Sequence, residues 1–343
     1  MKFDFNDVLI EPVEVSDIRS RRDIDIRTSE STLPIITAPM DTVIDSENEE
    51  FFWLRGIQTC LPRGEKSDVD FPSFKSYSLT DFNRTFLHII PDHDKIRLEL
   101  TPKLYVLIDI ANGHMKEVLD STREAKECYG DSLVLMVGNV ANPKTYVELS
   151  NAGADYIRIG IGNGGGCLTT QQTGVGYPMG SLIQECYRES VRLNNPAKIV
   201  ADGGMKTYSD VIKAIGLGAD YVMLGSILNK ALESSGNNYL FKKIPVPESI
   251  ARWAYRNNFS VYKKFRGMST KEVQKKWGNT ELKTSEGVVR YRKVEYTLDQ
   301  WIENFQHYLR SAMSYSNAKT LDEFKGYAIF NHITENAYKR FNK

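Results

Sequence analysis

Excess charge of one sign, paired cysteines, long apolar runs and internal repeats are all missing from this 343-residue chain. Its 44 basic side chains are balanced by 44 acidic ones, so the formal net charge is zero. That balance removes the electrostatic case for nucleic acid or an anionic membrane surface as a partner. No stretch approaches the roughly 20 consecutive apolar residues that span a bilayer, and the opening residues 1–7 carry no apolar core of a signal peptide. The four cysteines, Cys60, Cys128, Cys167 and Cys186, form no C-x-x-C pair, which argues against structural zinc or a redox dithiol. A soluble, cytoplasmic protein of a reducing compartment is the expectation. With 41% hydrophobic residues the chain can bury a sizeable core.

What is present is a rhythm. Short apolar runs end in polar or glycine-rich turns: 105–110 before Ala111-Asn112-Gly113, 133–137 before Gly138-Asn139, 154–159 before a glycine loop, 198–201 before Asp202-Gly203-Gly204, and 220–224 before Gly225-Ser226. Helical patterns fill the gaps over 116–129, from Asn142-Pro143 to Ala152-Gly153, and over 209–215. Repeated β-α units with the unusual residues after the strands predict a TIM (β/α)8 barrel, an α/β fold whose active site lies at the strand C-terminal ends. A doubly wound sheet fits less well, because no glycine fingerprint clusters after a first strand. Two segments break the rhythm, 62–94 and 237–287, and 296–324 reads as helical. Long irregular segments in a barrel tend to be lids or interface elements.

The segment Gly160-Ile161-Gly162-Asn163-Gly164-Gly165-Gly166-Cys167-Leu168-Thr169-Thr170 is the richest in chemistry. A free cysteine is ordinarily a small buried hydrophobe, and Cys60, Cys128 and Cys186 fit that reading. Cys167 sits instead at the end of a glycine run after a strand, where a thiol is presented to a ligand as a nucleophile. Thr169 and Thr170 can orient a water or leaving group, and carbonyls of the same loop can ligate a monovalent cation. The tandem turns Asp202-Gly203-Gly204 and Gly225-Ser226 follow consecutive late strands, the place where barrels hold phosphate on backbone N–H groups. A nucleotide or sugar phosphate is the ligand this pattern favours.

With those motifs in order, the chain resembles the IMP dehydrogenase/GMP reductase family over nearly its whole length. The resemblance is carried by Phe5-Asn6-Asp7-Val8-Leu9-Ile10-Glu11-Pro12, by residues 33–43, by the cysteine loop and Asp202-Gly203-Gly204, and by Arg266-Gly267-Met268-Ser269 and residues 309–315. Within the family, Asp109-Ile110-Ala111-Asn112-Gly113 and Thr173-Gly174-Val175-Gly176-Tyr177-Pro178 resemble the reductase. So do the short segment from Met268 to Glu286 and the lack of a CBS pair within the barrel. Arg290-Tyr291 follows Ser285-Glu286-Gly287 and does not match a dehydrogenase's catalytic Arg-Tyr.

The resemblance implies NADPH-dependent reductive deamination of a purine nucleotide at C2, GMP to IMP plus ammonia, through a covalent Cys167 intermediate. The alternatives are an oxidation like that of IMP dehydrogenase with NAD, and a purine-nucleotide-binding protein without turnover. The implied catalytic residues are Cys167, Thr169 and Glu286. Asp202, Gly203, Gly204, Gly225, Ser226, Met268, Ser269 and Gly287 would hold the nucleotide. Asp109, Ala111, Ser311, Ser314 and Tyr315 would face NADPH, and carbonyls of Gly162, Gly164 and Cys167 would hold potassium. The resemblance also implies one barrel domain over 1–343 with a mobile flap around 268–292, and a homotetramer.

The chain departs from the family pattern in the loop itself. Asn163 stands where the family has proline, and Gly165 where it has a serine that donates to the substrate phosphate. A charge-assisted donor of that kind is worth roughly 1.5–3 kcal/mol. Gln171-Gln172 and Lys283 replace more basic or bidentate groups, and lysine does not reproduce a guanidinium fork. Ser226 and Arg266 are dehydrogenase-like. The departures cluster around substrate recognition, which suggests a divergent reductase.

Overall fold

The chain opens with a short strand, β1 (Val8–Ile10), and then runs eight times around one parallel sheet. The structure is a computed structural model that describes residues 1–67, 69–87, 102–165, 167–267, 270 and 289–341. The sheet strands are β2 (Ile35–Thr37), β3 (Thr59–Leu61), β4 (Ser73–Tyr77), β5 (Leu104–Asp109), β6 (Leu133–Val140), β7 (Tyr156–Ile159), β8 (Lys198–Asp202) and β9 (Tyr221–Leu224). Each from β3 to β8 pairs in parallel with the next, and β9 pairs with β2. A parallel bridge between Ile36 and Gln58 joins β2 to the start of β3 and closes the ring. This is the (β/α)8 barrel expected, and no CBS pair interrupts it among the described residues.

The helices fall between the strands: α1 (Glu49–Trp53), α2 (Leu79–Phe82), α3 (Lys116–Tyr129), α4 (Pro143–Asn151), α5 (Thr169–Thr173), α6 (Met179–Ser190) and α7 (Tyr208–Gly216). Their starts are written in the sequence. The Asn142 side chain accepts from Lys144 N and is followed by proline at the first turn of α4. Thr207 and Asp210 form a reciprocal capping box on α7. The segment 296–324 divides rather than forming one helix. Helix α9 (Leu298–Tyr315) stops before Asn317, whose φ of 54° takes the left-handed conformation that ends helices, and the short α10 (Leu321–Phe324) follows.

The segment 62–94 hides a barrel strand. β4 reads Ser-Phe-Lys-Ser-Tyr, too polar to register as apolar alternation. Its serines are nevertheless buried and satisfied: Ser76 Oγ donates to Leu61 O at 2.6 Å, and Ser73 Oγ donates to the buried Glu49 carboxylate.

Between β9 and α9 the chain inserts an antiparallel sheet in the order β11-β10-β12-β13. Its strands are β10 (Asn238–Leu240), β11 (Ile244–Val246), β12 (Val261–Arg266) and β13 (Val289–Lys293), with α8 (Glu248–Arg256) alongside. Most of the expected flap, 268–288, lies outside the described residues apart from Thr270. Its last residues belong to β13. At the other end of the chain, β1 pairs antiparallel with β14 (Phe330–His332), and α11 (Glu335–Phe341) follows.

Two apolar layers hold the barrel. The larger lies between sheet and helices and includes Val137, Ile157 and Ile199. The smaller fills the interior with Ile36, Cys60, Phe74, Leu107, Met136, Tyr156, Val200, Tyr221 and Met223. Strand side chains alternate faces, so the next inward positions after Leu107, Tyr156 and Val200 are Asp109, Arg158 and Asp202. The interior thus turns from apolar to charged at the C-terminal mouth, where the βα loops meet.

Candidate active site

Asp109, Arg158 and Asp202 face one another across the top of the barrel. Arg158 Nη2 donates to Asp109 Oδ1 at 2.7 Å, and its Nε donates to Asn139 Oδ1 at 2.6 Å. Asn139 Nδ2 in turn donates to Asp202 Oδ2 at 2.8 Å, and Arg158 Nε lies 3.5 Å from the same oxygen. Arg63 Nε donates to Asp109 Oδ2 at 2.9 Å. Burial works against the charge of Arg158, yet Asp109 and Asp202 more than offset it and raise its pKa. Burial also lifts the Asp202 carboxyl above the ordinary aspartate range, while Arg158 and the Asn139 hydrogen bond pull it down. Sequence patterns did not single out Arg63, Asn139 or Arg158. The available signal was alternation: Arg158 lies two residues after the inward Tyr156 in a strand of four.

Above this floor opens a cavity of about 750 Å³, within the roughly 300–1,000 Å³ of small-molecule sites. Cys167, Thr169, Asp202, Gly203, Gly204, Gly225 and Ser226 line it together, as do Asp109 and Ala111, Gly162 and Gly164. The Cys167 thiol donates to Thr169 Oγ1 at 3.2 Å, with Thr169 opening α5. Cys167 is half-buried, whereas Cys60, Cys128 and Cys186 are buried. Burial pushes the Cys60 thiol up to about 12, so it stays protonated and inert.

The loops after β7 and β8 fit against each other closely. Gly203 has a φ of 87°, and a Cβ there would lie 2.9 Å from Gly164 N. Only glycine meets both demands. Gly204 N donates to Asn163 O at 2.8 Å, so this N–H already has a partner. Asn163 Nδ2 reaches Tyr177 O at 3.4 Å and ties the loop to the segment before α6.

Met268, Ser269, Glu286 and Gly287 lie outside the described residues. Ser311, Ser314 and Tyr315 are described but do not line the cavity. They end α9 beside the N-terminal strap, where Ser16 Oγ donates to Ser314 O at 2.9 Å and Val13 N to Tyr315 O at 2.9 Å. In contrast, Arg290 and Arg292 of β13 stand in the cavity wall, a role the sequence did not suggest for either.

A thiol beside a hydroxyl, glycine turns after β8 and β9, and the Asp202 carboxylate thus meet at the mouth of a closed barrel. The sequence profile of the IMP dehydrogenase / GMP reductase domain matches residues 103–341. The chain belongs to this family. Similar proteins include a GMP reductase of Ascaris suum, 30% identical over 99% of this chain and 96% of its own length. A GMP reductase of Buchnera aphidicola is 31% identical over 100% and 97%. The human GMP reductase 2 is 30% identical over 100% and 97%. With the family domain over 103–341 and GMP reductases aligned along nearly its whole length, the chain is an enzyme of the GMP reductase type. No helix among the described residues is long and apolar enough to cross a membrane.

Proposed function

We propose that this enzyme converts GMP to IMP and ammonia with NADPH, through a covalent bond between Cys167 and purine C2. The observation that carries the reading is the Cys167–Thr169 contact of 3.2 Å in the wall of the cavity that also holds Asp202.

Cys167 as thiolate adds to C2, and Thr169, with Glu286 as its expected partner, transfers the proton that lets the 2-amino group depart as ammonia. Asp109 and Ala111 would face NADPH, which when bound would supply the hydride for C2. The sulfur would then leave as thiolate, with one C–N bond exchanged for one C–H bond. Asp202, anchored by Asn139, would accept hydrogen bonds from the ribose hydroxyls. Gly203, Gly204, Gly225 and Ser226 are assigned to the phosphate, and Met268, Ser269 and Gly287 to the base.

The fit of the cofactor is partial within one chain. Asp109 and Ala111 line the cavity while Ser311, Ser314 and Tyr315 do not. This split supports a homotetramer in which a neighbouring copy brings its 311–315 segment to the cofactor. For potassium, the candidate ligands Gly162, Gly164 and Cys167 offer neutral main-chain oxygens, a donor set that suits a large monovalent cation. The Gly164 carbonyl accepts from Cys167 N at 3.0 Å and keeps a second lone pair for the ion.

Absorbance at the nicotinamide band tests the reading. The wild type is expected to oxidise NADPH when given GMP, faster with potassium, and Cys167→Ala to bind GMP without turnover. NADH formation from IMP and NAD would favour the dehydrogenase instead. No reaction with any purine nucleotide would remove the reductase reading.

A further inference from the structure

The glycine at position 165 is not required by its backbone. Its φ lies outside the left-handed region, so a side chain is permitted there conformationally. What glycine provides is room. A Cβ on Gly165 would lie 3.1 Å from Arg292 Nη2, and 3.6 Å from Ser226 Cβ and Oγ. The Arg292 guanidinium and the Ser226 hydroxyl therefore both border the space a side chain at 165 would occupy.

Arg292 is held there from another part of the fold. It lies on β13, in register with the buried Lys263 of β12, while Arg290 pairs with Phe265. Alternation puts Arg290 and Arg292 on the same face of β13, which is the face toward the cavity. The Arg292 guanidinium stacks on the Phe265 ring, 4.3 Å from its centroid, a contact that fixes the plane of a guanidinium. Neither arginine forms an ion pair among the described residues, whereas Lys230 nearby is paired with Glu295 at 3.0 Å. Two uncompensated guanidiniums in a cavity wall form a site for an anion. The Asp109 and Asp202 carboxylates are already paired with Arg63 and Arg158, whereas the Arg292 guanidinium borders the space beside Gly165 and Ser226. The loop is also short of its own donors there, since Gly204 N is engaged with Asn163 O.

We propose that Arg292, aided by Arg290, is the principal ligand for the 5′-phosphate of the nucleotide, and that Gly165 is the vacancy that admits it. The antiparallel insertion, rather than a side chain of the cysteine loop, then supplies the phosphate grip and couples substrate charge to the position of β13. This rests on the reading of the cavity as a purine-nucleotide site.

Calorimetric titration with GMP and with guanosine tests it. Arg292 is half-buried on a sheet edge, so Arg292→Ala is expected to fold. It should weaken GMP binding roughly ten- to hundredfold and leave guanosine binding unchanged, with Arg292→Lys between the two. Gly165→Ser alone should weaken GMP by crowding the guanidinium. In the Arg292→Ala background the same serine should recover part of the loss, because its hydroxyl then takes the vacated place. Equal GMP affinity in wild type and Arg292→Ala overturns the proposal, as does a wild type that binds guanosine as tightly as GMP, or a parallel loss of both ligands. A wild type that binds neither ligand overturns the nucleotide reading as well. Arg292-dependent GMP binding without NADPH oxidation leaves this inference standing and removes only the proposed reaction.

Discussion

Arg158 Nη2 donates to Asp109 Oδ1 at 2.7 Å inside a barrel whose neighbouring layer is apolar. The arginine is 7% exposed and the aspartate 9%, so this pair is desolvated. Removing Arg158 leaves Asp109 with Arg63 alone and takes the cation from beside Asp202. Arg158→Leu is expected to lower stability by about 3–5 kcal/mol, read as the shift of the urea midpoint at unchanged slope. Adding Asp109→Asn to it should recover part of that loss. A midpoint within experimental error of wild type would mean that the pair contributes nothing.

Thr169 predicts a different signature, because its hydroxyl meets the Cys167 thiol at 3.2 Å and is half-buried at the start of α5. Loss of a positioned proton-transfer group costs roughly 10²–10⁴ in rate. Thr169→Ala should lower kcat for NADPH oxidation on that scale with KM for GMP little changed, and Thr169→Ser should keep most of it. A rise in KM at constant kcat would instead assign Thr169 to binding.

The legibility of the chain followed local physics. Helices α3, α4 and α7 were plain because apolar residues recur at helical spacing in all three and side-chain caps open α4 and α7. The parallel strands were plain where β-branched runs end in glycine. β4 was not, because its buried polar groups are satisfied by Glu49 and by the β3 backbone, which only the fold brings near. The same holds at the site. Cys167 and the turns at 203 and 225 announce themselves through glycine. Arg158 reads as an ordinary strand residue, and Arg292 as one charge in a basic stretch, until the barrel and the inserted sheet carry them to the cavity.

Gly203 offers a controlled test of loop-on-loop fit. Alanine there meets a φ of 87° and a Cβ contact of 2.9 Å to Gly164 N, whereas Gly64, with φ of 82°, has open space around its Cβ. Gly64→Ala measures backbone strain alone, about 1 kcal/mol. Gly203→Ala should cost about 1–3 kcal/mol more, seen as the larger fall in Tm. By displacing the cysteine loop it should also lower kcat/KM for GMP. Equal Tm shifts in the two variants would show that the loop moves aside freely.

Lys263 makes stability depend on pH in a direction that can be worked out. It is 2% exposed on β12, and its ammonium donates to Ser234 O without an ion pair among the described residues. Burial lowers its pKa from 10.5 to about 8, with Glu248, Glu233 and Asp45 opposing the shift and Arg252 adding to it. Between those pH values the unfolded chain holds a proton that the folded chain has released. Folding stability from this residue therefore rises as pH increases from about 8 toward 10.5, by ~3 kcal/mol over the whole interval. Below pH 8 both states are charged and the burial penalty is present in full. Lys263→Met keeps the volume and removes the charge, so it should be more stable than wild type at pH 7. That advantage should shrink steadily to pH 10, when urea unfolding of the two proteins is compared at each pH. A constant difference between the two across pH 7–10 would show that Lys263 titrates at its ordinary value.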